Sequence, residues 1–256
     1  LNFYTGMQMG IRTVQKTLLW YADEAKTLAD QEENGDRKSD LQEMERICRK
    51  LTKERPESFR EAIQLVIIYT MIDGAREWGR MDDYLAPFYV NDLRNGVIDE
   101  EEAIRLLTSF WQLMIAKEQV TDDRVIIGGL GRKHPKEADE LALVIMEVSR
   151  RVRDIVPQLT LRMYEGMDER LYKKAMDCIG EGTTYPMLYQ DENIIPGVMN
   201  VFGISYEEAL NWMPLGCGEF TIDHSIIVSP NSVLNLANVL WGTINGGYDA
   251  TGTYRL

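Results

Sequence analysis

From about residue 123 onward the chain alternates short apolar runs with turn residues and longer stretches of helical spacing, a rhythm that points to an α/β fold with strands lying side by side. The runs are Arg124-Val125-Ile126-Ile127-Gly128-Gly129, Gln158-Leu159-Thr160-Leu161-Arg162, Pro186-Met187-Leu188-Tyr189, and Met213 to Phe220. Between them the spacing predicts helices over 136–153, 168–180 and 206–212, the last opened by the capping box Ser205-x-x-Glu208. A final helix over 231–245 carries Val233, Leu236, Ala237, Leu240 and Ile244 on one face and stops at Gly246-Gly247.

Residues 1–122 read mainly as helices. Ser39-x-x-Gln42, Ser58-x-x-Glu61 and Asp99-x-x-Glu102 each set a side-chain acceptor before an apolar-periodic run. Ala103, Leu106, Leu107, Phe110, Leu113 and Met114 fall on one helical face, as do Ala138, Leu141, Ala142, Ile145 and Val148 after Pro135, so both stripes are predicted core. Residues 31–40 are polar and contain Gly35, which predicts a solvated loop between two helices.

Composition narrows the function classes. With 256 residues the chain can bury a substantial core, and its formal charge of −13 disfavours nucleic acid, because a phosphate-binding face needs clustered Lys and Arg. No apolar run approaches the roughly 20 residues that span a bilayer, so no membrane association is expected. Cys48, Cys178 and Cys217 are odd in number and widely spaced, which indicates neither a disulfide framework nor a zinc site and fits a reducing cytoplasm. His134 and His224 lack ligand spacing, so a metal is not expected. The chain opens on Leu1 and stops at Arg255-Leu256 without a cap, and is expected to be a piece of something longer.

The segment Leu215-Gly216-Cys217-Gly218-Glu219-Phe220 concentrates the chemistry. Gly216 and Gly218 lack the Cβ that would crowd a sharp turn, so Cys217 can sit at an apex open to close approach. In extended backbone Cys217 and Glu219 would face the same side, a thiol beside a proton acceptor. The same residues also fit a small buried thiol without reactivity, a cysteine nucleophile with His224 as base and Glu219 as orienter, and a non-catalytic remnant or partner-binding scaffold.

Eight segments in order resemble the glycyl radical enzyme superfamily, the pyruvate formate-lyase-like proteins. They are Pro56 to Leu65, Gly79-Arg80-Met81-Asp82-Asp83-Tyr84-Leu85-Ala86-Pro87-Phe88-Tyr89, Gly128-Gly129 with Ala138 to Leu141, Pro157 to Arg162, Asp191-Glu192 with Ile195-Pro196, Gly203-Ile204-Ser205-x-x-Glu208-Ala209, the Gly-Cys-x-Glu turn, and Gly247 to Gly252. The resemblance covers nearly the whole chain. It implies that residues 1–256 are part of a single domain, a fragment of a ten-stranded α/β barrel built from two parallel five-stranded half-sheets. The helix-rich part, 1–122, would be followed by strand-helix units over 123–256 with the cysteine loop at 215–220.

The resemblance also implies a chemistry. A backbone glycyl radical on a separate C-terminal segment, installed by an activating enzyme that uses S-adenosylmethionine and an iron–sulfur cluster, would take hydrogen from Cys217. The thiyl of Cys217 would then take hydrogen from a small-molecule substrate, with Glu219 as general base and no cofactor bound directly. Partial burial would raise the Glu219 pKa toward that role. Arg76, Phe220 and His224 would contact substrate, Arg76 by forking two hydrogen bonds to a carboxylate. The complete protein would be a homodimer.

Two departures shape the expectation. Pyruvate formate-lyase itself has adjacent cysteines at this loop, whereas Gly216 precedes Cys217 here, which argues against formate acetyltransferase activity and for elimination or decarboxylation. The family's Arg-Val-x-Gly-Tyr motif is absent, and Arg124 to Gly128 only echoes it, so this chain alone is not expected to be a competent radical enzyme.

Overall fold

The computed structural model describes all residues except 1, 75–76, 119–122, 217, 224, 226–235, 250 and 255–256. Two compact units are present, Leu1–Asp223 and His224–Leu256.

The first unit begins with helices α1 (Asn2–Gln31), α2 (Gly35–Leu51) and α3 (Phe59–Asp73). Strand β1 (Glu77–Arg80) leads into α4 (Met81–Arg94) and α5 (Glu100–Ala116), then β2 (Arg124–Gly128), α6 (Pro135–Val152), β3 (Gln158–Met163), α7 (Glu169–Gly180) and β4 (Met187–Gln190). After α8 (Asp191–Phe202) and α9 (Tyr206–Ala209) come β5 (Trp212–Leu215) and β6 (Glu219–Ile222). The second unit holds α10 (Leu236–Ile244), none of whose residues is buried, and a bridge between Tyr248 and Tyr254.

Strands β1 to β4 form one parallel sheet in sequence order, with Glu77 paired to Arg124, Val125 to Leu159, and Leu161 to Leu188. Parallel strands in sequential order, each linked by helix, have the connectivity of a barrel wall, whereas a doubly wound sheet reverses its order part-way. The two faces differ because side chains alternate along a strand. Val125, Ile127, Leu159 and Leu161 enter the main core with α3 to α7, beside Phe59, Trp78, Phe110 and Leu141. The other face carries Arg124, Thr160 and Arg162, all completely buried.

Local chemistry explains most element ends. Ser58 and Asp99 accept from the backbone N–H of Glu61 and Glu102, as the spacing predicts. Ser205 and Glu208 make both bonds of a capping box, but α9 is a single turn because Trp212 already belongs to β5. Pro135 occupies the first turn of α6, and all five predicted core positions of that helix are buried. The α5 stripe is buried except Leu113, which is exposed.

Two further expectations are corrected. The predicted loop over 31–40 shrinks to residues 32–34, because Asn34 caps α2 by accepting from Arg37 N–H, leaving Gly35 and Ser39 inside the helix. The single strand expected over 213–220 is two strands, because Gly216 (φ 51°) and Gly218 (φ 122°) reverse the chain. Strand β1 and helix α8 are additional elements; β1 is only four residues and its register shifts at Gly79, so it leaves no periodic pattern.

One buried pair joins these layers. Arg162 donates from Nε and Nη2 to the two carboxylate oxygens of Asp191, both at 2.9 Å, and both side chains are fully buried. Asp191 also accepts from Leu130 N–H at 2.7 Å and from the Trp212 indole at 2.9 Å. Replacing Asp191 by Ala strands a buried guanidinium and two N–H donors. We expect Asp191→Ala to lower stability by about 3–5 kcal/mol, read as a fall in the urea unfolding midpoint of the protein that carries this chain.

Candidate active site

The site is built on the β5–β6 hairpin. Leu215 pairs with Glu219, Pro214 with Phe220 and Trp212 with Ile222, and Gly218 N–H donates to Leu215 O at 2.8 Å to close the turn. Cys217 lies between them, outside the described residues, as do Arg76 and His224. Glu219 is the first residue of β6 and is exposed, so the burial expected for a general base is not supplied by the described residues. Phe220, 40% exposed, packs edge-on against Trp212 at 5.5 Å and Tyr189 at 6.4 Å. Only Glu219 and Phe220 of the anticipated site residues are therefore located, side by side on one strand.

The turn rests on the polar face of the sheet. Gly216 N–H donates to Glu77 Oε1 at 3.0 Å, and Gly216 O accepts from Arg124 Nη2. Arg124 also donates to Thr160 Oγ1 at 2.6 Å and to Gln158 Oε1. On the other side of the turn, a Cβ at Gly218 would lie 2.7 Å from the Tyr189 hydroxyl of β4. Glu77 and Arg124 open β1 and β2, so the turn is held at the amino ends of the strands, whereas α/β sheets generally gather their chemistry at the carboxyl ends. The reason is the Arg124 side chain, which stands on the sheet face that meets the hairpin.

The carboxyl end of β2 is instead occupied by a buried charge network. Arg80 Nη2 donates to Gly128 O (3.0 Å) and Leu130 O (2.8 Å), and Asp82 accepts from Gly128 N–H (2.7 Å) and Arg132 (3.0 Å). Arg132 also pairs with Asp139 at 2.7 Å. Burial draws the Arg80 pKa down to about 10 and pushes the carboxyls of Asp82 and Asp139 upward, Arg132 opposing the rise in both. Gly128 (φ 74°) is required there, since a Cβ would stand 2.5 Å from Arg162 O. With its donors turned onto backbone carbonyls and carboxylates, this network braces the loop after β2.

Two pockets flank the sheet. One of about 660 Å³ lies beyond β3 and β4, lined by Met163, Tyr164, Arg170, Lys173 and Gln190 among others. An apolar one of about 420 Å³, lined by Leu65, Val66, Tyr69, Thr70, Trp78 and Tyr84, also includes Glu77, the residue that holds Gly216. Among the described residues no group of His, Cys, Asp or Glu is arranged to hold a metal ion, and no helix is long and apolar enough to cross a membrane.

A family model described as pyruvate formate lyase-like matches residues 1–256. The chain belongs to that family. It is 27% identical over 241 residues to (2S)-3-sulfopropanediol dehydratase of Klebsiella oxytoca, covering 86% of this chain and 29% of that protein. It is 30% identical over 244 residues to the 4-hydroxyphenylacetate decarboxylase glycyl radical subunit of Clostridioides difficile, covering 86% and 27%. A glycyl radical enzyme from Archaeoglobus fulgidus superposes with a TM-score of 0.71 at 25% identity, over 83% of this chain and 30% of that one. The chain thus spans less than a third of each, and its fold is a fragment of the glycyl radical enzyme barrel.

The residue types single out the turn but not what holds it. No local pattern marks Glu77 or Arg124 as partners of the turn, because they reach it from 139 and 92 residues away in sequence. The fit at Gly218 is testable. Gly218→Ala should destabilise the protein by about 1–3 kcal/mol, since φ 122° suits only glycine. Adding Tyr189→Phe should recover part of the loss by removing the hydroxyl from the added Cβ; both effects are read in urea unfolding.

Proposed function

We propose that this chain is the cysteine-loop portion of a glycyl radical lyase of the eliminating type, with residues 1–256 forming part of a single domain. The observation that carries the reading is the turn itself. It is reversed between two glycines, one residue before Glu219, and tied to the buried face of a sheet with barrel connectivity. The dehydratase and decarboxylase names of its relatives support the same class.

In this reading a glycyl radical on the remainder of the protein, installed by a separate activating enzyme with S-adenosylmethionine and an iron–sulfur cluster, supplies the abstraction of hydrogen from the Cys217 thiol. Gly216 and Gly218 suit that step, because neither carries a Cβ to fend off a second backbone. Cys217 then takes a hydrogen atom from a substrate carbon that bears a hydroxyl. Glu219 accepts the hydroxyl proton while the bond from the neighbouring carbon to its leaving group breaks, the electron pair departing with that group. Cys217 returns its hydrogen to the product carbon. Arg76, Phe220 and His224 orient the small polar substrate, Arg76 through a carboxylate or similar anion. The complete protein works as a cytoplasmic homodimer under anaerobic conditions.

The test uses the full protein, anaerobically activated, with (2S)-3-sulfopropanediol as first substrate and other small hydroxylated anions after it. Cys217→Ala should keep the glycyl radical signal in electron paramagnetic resonance and lose turnover, and Glu219→Gln should lower kcat by about 10²–10⁴. Turnover in air by unactivated protein, or full turnover by Cys217→Ala, would overturn the proposal.

A further inference from the structure

We propose that Glu77 and Arg124 are positioning residues that hold Gly216 from the sheet, one at its N–H and the other at its C=O, and through it position Cys217 for hydrogen abstraction. The proposal rests on the reading of Cys217 as the hydrogen-abstracting residue.

The two side chains come from directly paired positions, Glu77 of β1 and Arg124 of β2, so they stand side by side at one level of the sheet. Their charges match the two ends of the Gly216 peptide groups. The carboxylate takes the N–H, the guanidinium takes the C=O, and charge-assisted bonds of this kind are about twice as strong as neutral ones. These partners are 139 and 92 residues away in sequence, so the grip is tertiary and does not arise from the turn's own folding.

Arg124 is the costly half. A completely buried guanidinium opens a strand whose next three residues, Val125, Ile126 and Ile127, are buried and apolar, and its Nε has no hydrogen-bond partner among the described residues. A purely structural role at that position would be served better by an apolar side chain, because a buried charge must recover a large desolvation cost. Thr160 and Gln158 fix the guanidinium from the sheet side, which leaves Nη2 aimed at Gly216 O.

The consequence for Cys217 follows from covalent geometry. Cys217 is the next residue in the chain, so whatever fixes the Gly216 C=O acts on it through a single planar peptide link. The Tyr189 hydroxyl against Gly218 closes the opposite side of the turn. Hydrogen-atom transfer needs reacting atoms in near contact, and a displacement of about 1 Å can cost roughly 10²-fold in rate.

The experiment uses the full protein in two arms. In the first, without activation, the rate of iodoacetamide labelling at Cys217 is followed by peptide mass spectrometry, with the buried Cys48 and Cys178 as internal references. Arg124→Gln and Glu77→Ala should each speed labelling of Cys217 by about tenfold and leave the references protected, with Arg124→Lys in between. In the second, after activation, the same variants should keep the glycyl radical signal and KM within about threefold while kcat falls by about 10². Labelling of Cys217 within twofold of the parent in both variants, or labelling that rises equally at all three cysteines, would overturn the proposal. Should Arg124→Gln not fold, Glu77→Ala, which removes the bond to Gly216 N–H, decides alone. The first arm does not depend on radical chemistry, so a failure of the proposed reaction and a failure of the grip would be seen separately.

Discussion

The Arg162–Asp191 pair is the interaction on which the rest of the described architecture depends. Arg162 stands near the end of β3 and Asp191 at the first position of α8, and together they reach the loop after β2 through Leu130 and the start of β5 through the Trp212 carbonyl and indole. The guanidinium also lies 4.5 Å over the Trp212 ring. A charge buried this completely is tolerated only because every neighbouring group answers it. The hairpin that carries the cysteine turn is therefore located by a node of ionic and aromatic contacts, with only a small apolar cluster of Ile195, Val198, Ala209, Trp212 and Ile222 beneath it.

The sheet is a partition between two kinds of interior. Its helix-facing side is held by ordinary apolar burial, in which α5 and α6 supply whole stripes of side chains. Its other side carries arginines in place of the valine or isoleucine that strand propensity would favour. Such a face costs stability, which its donors offset in part by binding the loop after β2, the cysteine turn and the start of α8.

How much of this was legible in the sequence follows from which forces shape each part. Amphipathic helices with strong caps, such as the one begun by Ser58 or by Pro135, announce themselves because periodicity and capping are local. The parallel strands at 124, 158 and 187 were legible for the same reason. The turn is legible from its two glycines but the return strand after it is not, because glycine permits the two positive φ angles of a reversal without dictating them. Strand β1 was silent because it is short, irregular at Gly79 and stabilised by its neighbour. At the site, the turn and Glu219 could be named from residue types, yet Glu77, Arg124 and Tyr189 act through contacts more than 25 residues away in sequence, which no local pattern encodes.

The sequential strand order has a further consequence for how this protein can vary. The residues described against the flanks of the turn, Glu77, Arg124 and Tyr189, all precede the hairpin in the chain and sit on the same sheet. The contacts that hold Gly216 and approach Gly218 are thus written within one stretch of polypeptide, so segments outside that stretch can be exchanged or enlarged without redrawing them.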